Sequence, residues 1–116
     1  MKLSEAILLG SKLVPIQAFE TYITKDPATG AIITACALGA AYVGGGLTND
    51  GLLLIDLETI SDTFNVDIFS QQKYGFEQLP KPVDAEYSLY DAITYMNDTL
   101  KFSREKIAAI LTEHNL

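Results

Sequence analysis

The sequence predicts a mainly α fold, a compact bundle of four to five helices in which a short β-hairpin can lie between the first two. Three observations favour this fold class. Apolar residues recur at helical spacing in the second half of the chain, residues typical of N-caps precede these repeats, and the small-residue stretch at 31–46 carries no charge. At 116 residues, 48% of them apolar, the chain is expected to form a single globular domain over 1–116.

The first helix and the hairpin are predicted from local signals. Ser4 is an N-cap candidate, and the helix is expected to end at Val14 because the following proline disfavours helical backbone there. The segment at 19–24 is rich in aromatic and β-branched residues, and 31–34 carries β-branched ones. The six residues between them, KDPATG, favour a turn. Such a hairpin needs helices packed on one face, because an isolated one is marginal in water.

The second predicted helix spans Ala35–Val43, with Thr34 as its N-cap and Cys36 in its first turn. Small residues recur four positions apart, so almost every face of this helix carries only small side chains. Another backbone can therefore approach closely, and such contact makes Gly39 tolerable inside the helix. Three glycines at 44–46 are expected to end it.

Three further helices are predicted in the rest of the chain. Apolar residues at i, i+4, i+7 and i+11 between Leu53 and Phe64 indicate the third. The segment at 66–82 has no sustained period and is expected to form a connecting loop. Ser88, with an acidic residue three positions on, has a capping-box pattern and begins the fourth helix, while Ser103 begins the fifth.

Charge is distributed unevenly along the chain. Fifteen acidic residues oppose eight basic ones, and the net charge of −7 repels phosphate backbones, so no direct nucleic-acid binding is expected. The same charge can attract a basic partner surface. The acidic face of the third helix, with Asp56, Glu58 and Asp62, is therefore a candidate binding surface. The alternative is that these acids only keep a small apolar protein soluble.

The lone cysteine, Cys36, is the candidate catalytic residue if the protein is an enzyme. A thiol in the first turn of a helix can have a lowered pKa and act as a nucleophile. It would need a base, and the only histidine is His114, near the carboxyl end. We favour the alternative of a buried structural cysteine. One Cys and one His cannot build a usual zinc site, and the glycines match no nucleotide-binding motif, so neither a metal nor a cofactor is expected.

Asn97 and Asp98 form a candidate polar pair at the C-terminal end of the fourth helix, where the helix dipole disfavours an acid. Asp98 can offset this cost by capping the free N–H groups of the fifth helix. The alternative is a carboxylate in a binding pocket. The nearby basic residues Lys101, Arg104 and Lys106 are interpreted as solvated charges at helix ends.

The uncharged segment at 27–49 is long enough to cross a bilayer. Pro27 and the glycines interrupt it, and its Ala, Gly and Thr residues supply little apolar area. A buried segment of a soluble protein is therefore favoured, with no membrane partner. A single cysteine allows no internal disulfide, which suits a reducing compartment and predicts a cytoplasmic location.

Two stretches, CALGAA at 36–41 and ITYMNDTLKFSREKIAAIL at 93–111, resemble small uncharacterised bacterial and phage proteins. Those proteins share a CALGA helix and a final helical pair with an ND…SxExI pattern. The matching residues here are Asn97, Asp98, Ser103, Glu105 and Ile107. The resemblance brings no activity with it. It implies that Cys36 and the Asn97–Asp98 pair lie close together in one core.

The sequence contains no recognisable set of catalytic residues, and its charge is mostly negative. It therefore predicts a non-enzymatic intracellular protein of phage or mobile-element origin that acts through protein–protein contact. A protein partner is expected, and a homo-oligomer is allowed. Two alternatives from other classes stay open. One is a cysteine-dependent enzyme that uses Cys36, and the other is an acidic inhibitor that mimics nucleic acid.

Overall fold

A computed structural model describes residues 1–47, 57–69, 76, 79 and 88–116. Five α-helices, one π-helix and three strands occur in this part of the chain. Their order is α1 (Leu3–Leu13), β1 (Ile16–Gln17), β2 (Ile23–Lys25), β3 (Ile32–Ala35), α2 (Ala37–Gly44), α3 (Leu57–Phe64), α4 (Leu89–Thr94), the π-helix (Tyr95–Thr99) and α5 (Arg104–Glu113). The predicted start of the third helix at Leu53 and most of the predicted loop at 66–82 lie outside the described residues.

The prediction of a mainly α fold is wrong, because helices and a three-stranded mixed sheet together make an α+β protein. The strand order is β1-β3-β2. β2 runs antiparallel to β3, where the hairpin was predicted, and β1 runs parallel to β3 on its other edge. With only Ile16 and Gln17, β1 is too short for an alternating pattern to reveal it. A hydrogen bond from Ala18 N to Ala35 O, 3.0 Å long, continues this pairing.

α1 and α2 pack against each other with their backbones in contact. A Cβ added at Gly10 of α1 would overlap the carbonyl oxygen of Ala40, and one added at Gly44 of α2 would overlap that of Ala6. This is the close approach that the small residues of α2 predict. The consequence is a helix pair with almost no room for additional side-chain atoms.

Local capping signals decide where the later helices begin. Ser88 accepts a hydrogen bond from the backbone N–H three residues on (3.0 Å), and Ser103 does the same (3.1 Å), which confirms both predicted N-caps. α1 begins earlier than predicted, with Lys2 rather than Ser4 as its N-cap. Glu5 Oε1 accepts from the backbone N–H of Lys2 at 3.0 Å, which favours the earlier start.

The core lies where α1, α2, α4 and α5 meet. Among the residues that the structure describes, the largest fully buried side chains are those of Phe76, Leu3, Ile7, Leu38, Ile60, Ile68, Leu89, Ile93, Met96, Ile107, Leu111 and Asn97. Asn97 is the one polar member of that group, so its amide needs partners inside the protein. None of the described helices is both long enough and apolar enough to cross a membrane.

Candidate functional site

A pocket of about 340 Å³ lies where the turn before β2 meets α2, α4 and the π-helix. Its lining comes from separate parts of the chain, namely Glu20, Thr21, Tyr22, Cys36, Leu38, Tyr90, Ile93, Thr94, Asn97 and Asp98. Three residues singled out from the sequence, Cys36, Asn97 and Asp98, thus line the same pocket. This is the proximity that the resemblance implies.

Asn97 connects three parts of the fold through one buried amide. Its side chain is 1% exposed and makes four hydrogen bonds. Oδ1 accepts from Gln17 Nε2 (2.9 Å) and from the backbone N–H of Ala37 (3.0 Å), the first residue of α2. Nδ2 donates to the carbonyl oxygen of Ala18 (2.9 Å) and to Asp98 Oδ1 (2.7 Å). Every donor and acceptor of the amide is therefore used in holding the site together.

Asp98 lies at the rim of the pocket, and the prediction that it caps the fifth helix is wrong. Its Oδ1 accepts instead from the backbone N–H of Glu20 at 2.9 Å, in addition to the bond from Asn97. Glu20 has a φ of 62°. This left-handed conformation costs a residue that carries a Cβ on the order of 1 kcal/mol, so the Asp98 bond holds a strained turn in place.

The π-helix explains how two adjacent residues reach the same site. Its wide turn is closed by a hydrogen bond from Leu100 N to Tyr95 O, five residues apart and 3.0 Å long. Asn97 and Asp98 lie within it and are bonded to each other. Single π-helical turns are rare and frequently occur at functional sites. Their formation depends on tertiary contacts, so the apolar repeat of this segment predicts only an ordinary helix.

Cys36 lies in the pocket wall, 6% exposed. It is the N-cap of α2 rather than a first-turn residue, because β3 extends to Ala35, and its Sγ accepts from the backbone N–H of Gly39 at 3.4 Å. Burial raises the pKa of the thiol, although that hydrogen bond acts in the opposite direction. His114 does not line the pocket, since its ring packs against Phe76 with centroids 4.4 Å apart.

Two tyrosine hydroxyl groups meet at the pocket, with Tyr22 Oη 2.8 Å from Tyr90 Oη. Burial and the bond to Tyr90 raise the pKa of the Tyr22 hydroxyl. The backbone of Tyr22 is fixed as well, because its carbonyl oxygen accepts from Cys36 N at 2.9 Å. These residues are 68 positions apart, so no local sequence signal could have paired them.

Arg104 is buried, and its interpretation as a solvated charge is wrong. The side chain is 3% exposed. Nη1 donates to the carbonyl oxygens of Val14 (2.6 Å) and Ala35 (3.2 Å), and Nη2 donates to those of Pro15 (2.8 Å) and Ser11 (3.5 Å). Burial lowers the pKa of the guanidinium. One cation thus joins the end of α1 to the end of β3.

The remaining candidate residues lie elsewhere. Glu58 and Asp62 are exposed on α3, four positions apart, and neither lines the pocket. Asp56 lies outside the described residues. Across 1–47, 57–69 and 88–116, no group of three or more His, Cys, Asp or Glu side chains could hold a metal ion.

Comparison with known proteins finds no matching protein family, no matching curated protein and no matching solved structure.

Proposed function

We propose that this chain is a non-enzymatic intracellular protein that acts by contacting a protein partner, and that the pocket receives part of that partner. The observation that carries the proposal is the construction of the pocket rim. Asn97 and Asp98 hold Glu20 in a strained backbone conformation beside an open cavity. Strained residues and π-helical turns concentrate where function requires their geometry, which supports a binding role for this rim.

The chemistry of the pocket supports binding rather than catalysis. A cysteine nucleophile acts as its thiolate and is usually paired with a base. The pKa of the Cys36 thiol is raised by burial, so the thiolate is disfavoured. No imidazole or amine belongs to the described lining of the pocket. These features weigh against the cysteine-dependent enzyme.

The surface supports a protein as the partner. Phe19, 41% exposed, immediately precedes Glu20, and exposed aromatic side chains are enriched in protein interfaces. The net charge of −7 favours a partner with a basic surface, because complementary charge increases the rate of association. The acidic residues of α3, Glu58 and Asp62, form the alternative surface for such a partner, away from the pocket.

Site-specific photo-crosslinking in the cells of origin tests the proposal. Thr21 is exposed and lines the pocket, whereas Thr63 is exposed on α3. Each is replaced separately by benzoyl-phenylalanine. We expect a crosslinked protein of defined mass from position 21, lost when Asp98→Asn is added, and none from position 63. Crosslinking from position 63 alone would place the contact on α3, and crosslinking from neither position would contradict the proposal.

A further inference from the structure

We propose that the group received by the pocket is a basic side chain of the partner, a lysine or an arginine, whose cationic end lies against Asp98 and Glu20. The inference rests on the proposed function for the partner being a protein. The chemistry of the received group follows from the hydrogen-bond donors and acceptors of the pocket that have no partner within the protein.

The donors of the pocket are mostly in use. Both N–H groups of Asn97 donate within the protein. The hydroxyl of Thr94 donates to the carbonyl oxygen of Tyr90 at 2.9 Å. One hydroxyl hydrogen of the Tyr22–Tyr90 pair is engaged in the bond between them. The side-chain donors that remain are the hydroxyl of Thr21, the second tyrosine hydroxyl and the thiol of Cys36. None of them is charged, so a ligand whose polar end can only accept hydrogen bonds finds no strong donor here.

The acceptors, in contrast, remain available. Both bonds to the Asp98 carboxylate end on Oδ1, and Oδ2 has no hydrogen-bond partner in the described part of the chain. The Glu20 side chain is exposed at the rim. The lining contains no Lys, Arg or His, and Lys101 lies instead over the ring of Phe19, 4.4 Å from its centroid. Such a pocket matches a ligand that donates hydrogen bonds and carries positive charge.

The shape of the pocket matches an alkyl stem with a charged end. Leu38 and Ile93 provide apolar lining, and Tyr22 and Tyr90 add two aromatic residues to it. Lysine and arginine pack their stems on apolar surface while the charged end stays at a polar rim, and aromatic faces attract cations. A volume of about 340 Å³ lies at the small end of ligand pockets, which suits one side chain.

Titration of the full chain with capped amino acids, followed by ¹H–¹⁵N NMR, tests the inference. The probes are N-acetyl-lysine methylamide, N-acetyl-arginine methylamide and N-acetyl-norleucine methylamide, at constant ionic strength. Norleucine has the stem of lysine without its ammonium group. We expect the two cations to shift the backbone signals of Glu20 and Asp98 and the side-chain amide of Asn97. Their Kd values should be about five- to tenfold lower than that of norleucine.

Two variants of equal charge provide the comparison. Asp98→Asn keeps an oxygen that can accept the bonds from Glu20 N and Asn97 Nδ2 but removes the charge, so it should abolish the preference for cations. Glu113→Gln removes the same charge from the exposed end of α5, outside the pocket lining, and should leave the preference unchanged. Should Asp98→Asn lose the native spectrum, Glu20→Gln alters an exposed side chain and is expected to weaken the preference.

Three outcomes would overturn the inference: equal binding of norleucine and lysine, an unchanged preference in Asp98→Asn, or no shift of the pocket signals with any probe. Each of these leaves the proposed function to its own test. That proposal fails separately, when position 21 gives no crosslinked partner.

Discussion

At the scale of single residues, Asn97 has the widest effect on the site, because its side chain is the partner of buried groups in three parts of the chain. Replacing it with alanine leaves the N–H of Ala37 and the carbonyl oxygen of Ala18 without that partner. We expect Asn97→Ala to lower the free energy of unfolding by about 2–4 kcal/mol. Thr99→Ala, an exposed position in the same π-helix, should change it by less than about 0.5 kcal/mol. Urea denaturation measures both, and equal midpoints would contradict this role for Asn97.

The buried thiol of Cys36 predicts a loss of stability in alkaline solution. Its pKa in the folded chain is raised above the ordinary value of 9.0. Below about pH 8 the thiol keeps its proton in both the folded and the unfolded chain, so its full contribution to the free energy of unfolding is present. As the pH rises through 9 the unfolded thiol ionises first, and the contribution is lost progressively until the folded thiol ionises too.

Cys36→Ala should therefore flatten the fall in stability between about pH 8 and pH 10 relative to the unmodified chain. The Tyr22 hydroxyl, whose pKa is also raised from an ordinary value of 10.0, adds a later fall that this variant retains and Tyr22→Phe removes. Chemical denaturation at a series of pH values provides the measurement. A slope that is the same with and without the thiol would show that burial does not govern its ionisation.

At the scale of elements, the contact between α1 and α2 depends on glycine. A Cβ at Gly44 would overlap the carbonyl oxygen of Ala6, so the two helix backbones would have to separate. Gly44→Ala should cost about 2–3 kcal/mol or prevent folding. Gly30 serves as the control, because it has a φ of 73° with no atom near its Cβ position. Gly30→Ala should cost only about 1 kcal/mol, because the only penalty is that of placing a residue with a Cβ in a left-handed backbone conformation. Thermal denaturation measures both variants. Similar costs for the two variants would contradict backbone contact.

The junction of α1, β3 and α5 depends on Arg104. A lysine cannot reproduce the fork with which the guanidinium reaches four carbonyl oxygens, so Arg104→Lys should lower the free energy of unfolding by about 3 kcal/mol. Glu105→Gln changes its exposed neighbour and should stay within about 0.5 kcal/mol. Guanidinium chloride denaturation compares the two. A stable Arg104→Lys protein would indicate that the fold does not need the planar group.

The elements that sequence reasoning located are those with local signals. Ser88 and Ser103 cap helices through bonds that span three residues, so their patterns are visible in the chain. β1 and the π-helix depend instead on partners that are distant in sequence. β1 has two residues and the π-helix one wide turn, and both are too short to produce a periodic pattern of apolar residues. The burial of Arg104 had a usable signal, since it lies on the same helical face as Ile107 and Leu111, at i, i+3 and i+7.

Part of the candidate site could also be predicted from the sequence. Residue type and the resemblance pointed to Cys36, Asn97 and Asp98, and all three line the pocket. The strained turn at Glu20 carries no comparable signal, because its left-handed backbone is held by Asp98, 78 positions further on. A single-residue conformation that depends on so distant a partner can be found only from the folded chain.

At the scale of the whole molecule, the sheet and the helices are joined by hydrogen bonds that cross between them. Gln17 Nε2 of β1 donates to Asn97 Oδ1 of the π-helix, and Arg104 Nη1 of α5 donates to Ala35 O of β3. A sheet whose three strands have two, three and four residues is too small to be stable alone, so it should open only when the helices do. The single domain expected from length, which stays a prediction, therefore implies one cooperative unit.

Native-state hydrogen exchange tests that cooperativity. Ala6 N lies in α1, Ala18 N and Cys36 N donate within the sheet region, and Ile107 N lies in the first turn of α5. If these parts unfold together, all four amides should exchange with free energies within about 1 kcal/mol of one another and of the global value from denaturation. In Asn97→Ala, Ala37 N should exchange at a lower free energy than Ala6 N, because its acceptor is gone while α1 is unchanged. Sheet amides that exchange several kcal/mol more easily than those of α1 in the unmodified chain would show instead that the sheet, and the pocket wall attached to it, opens independently.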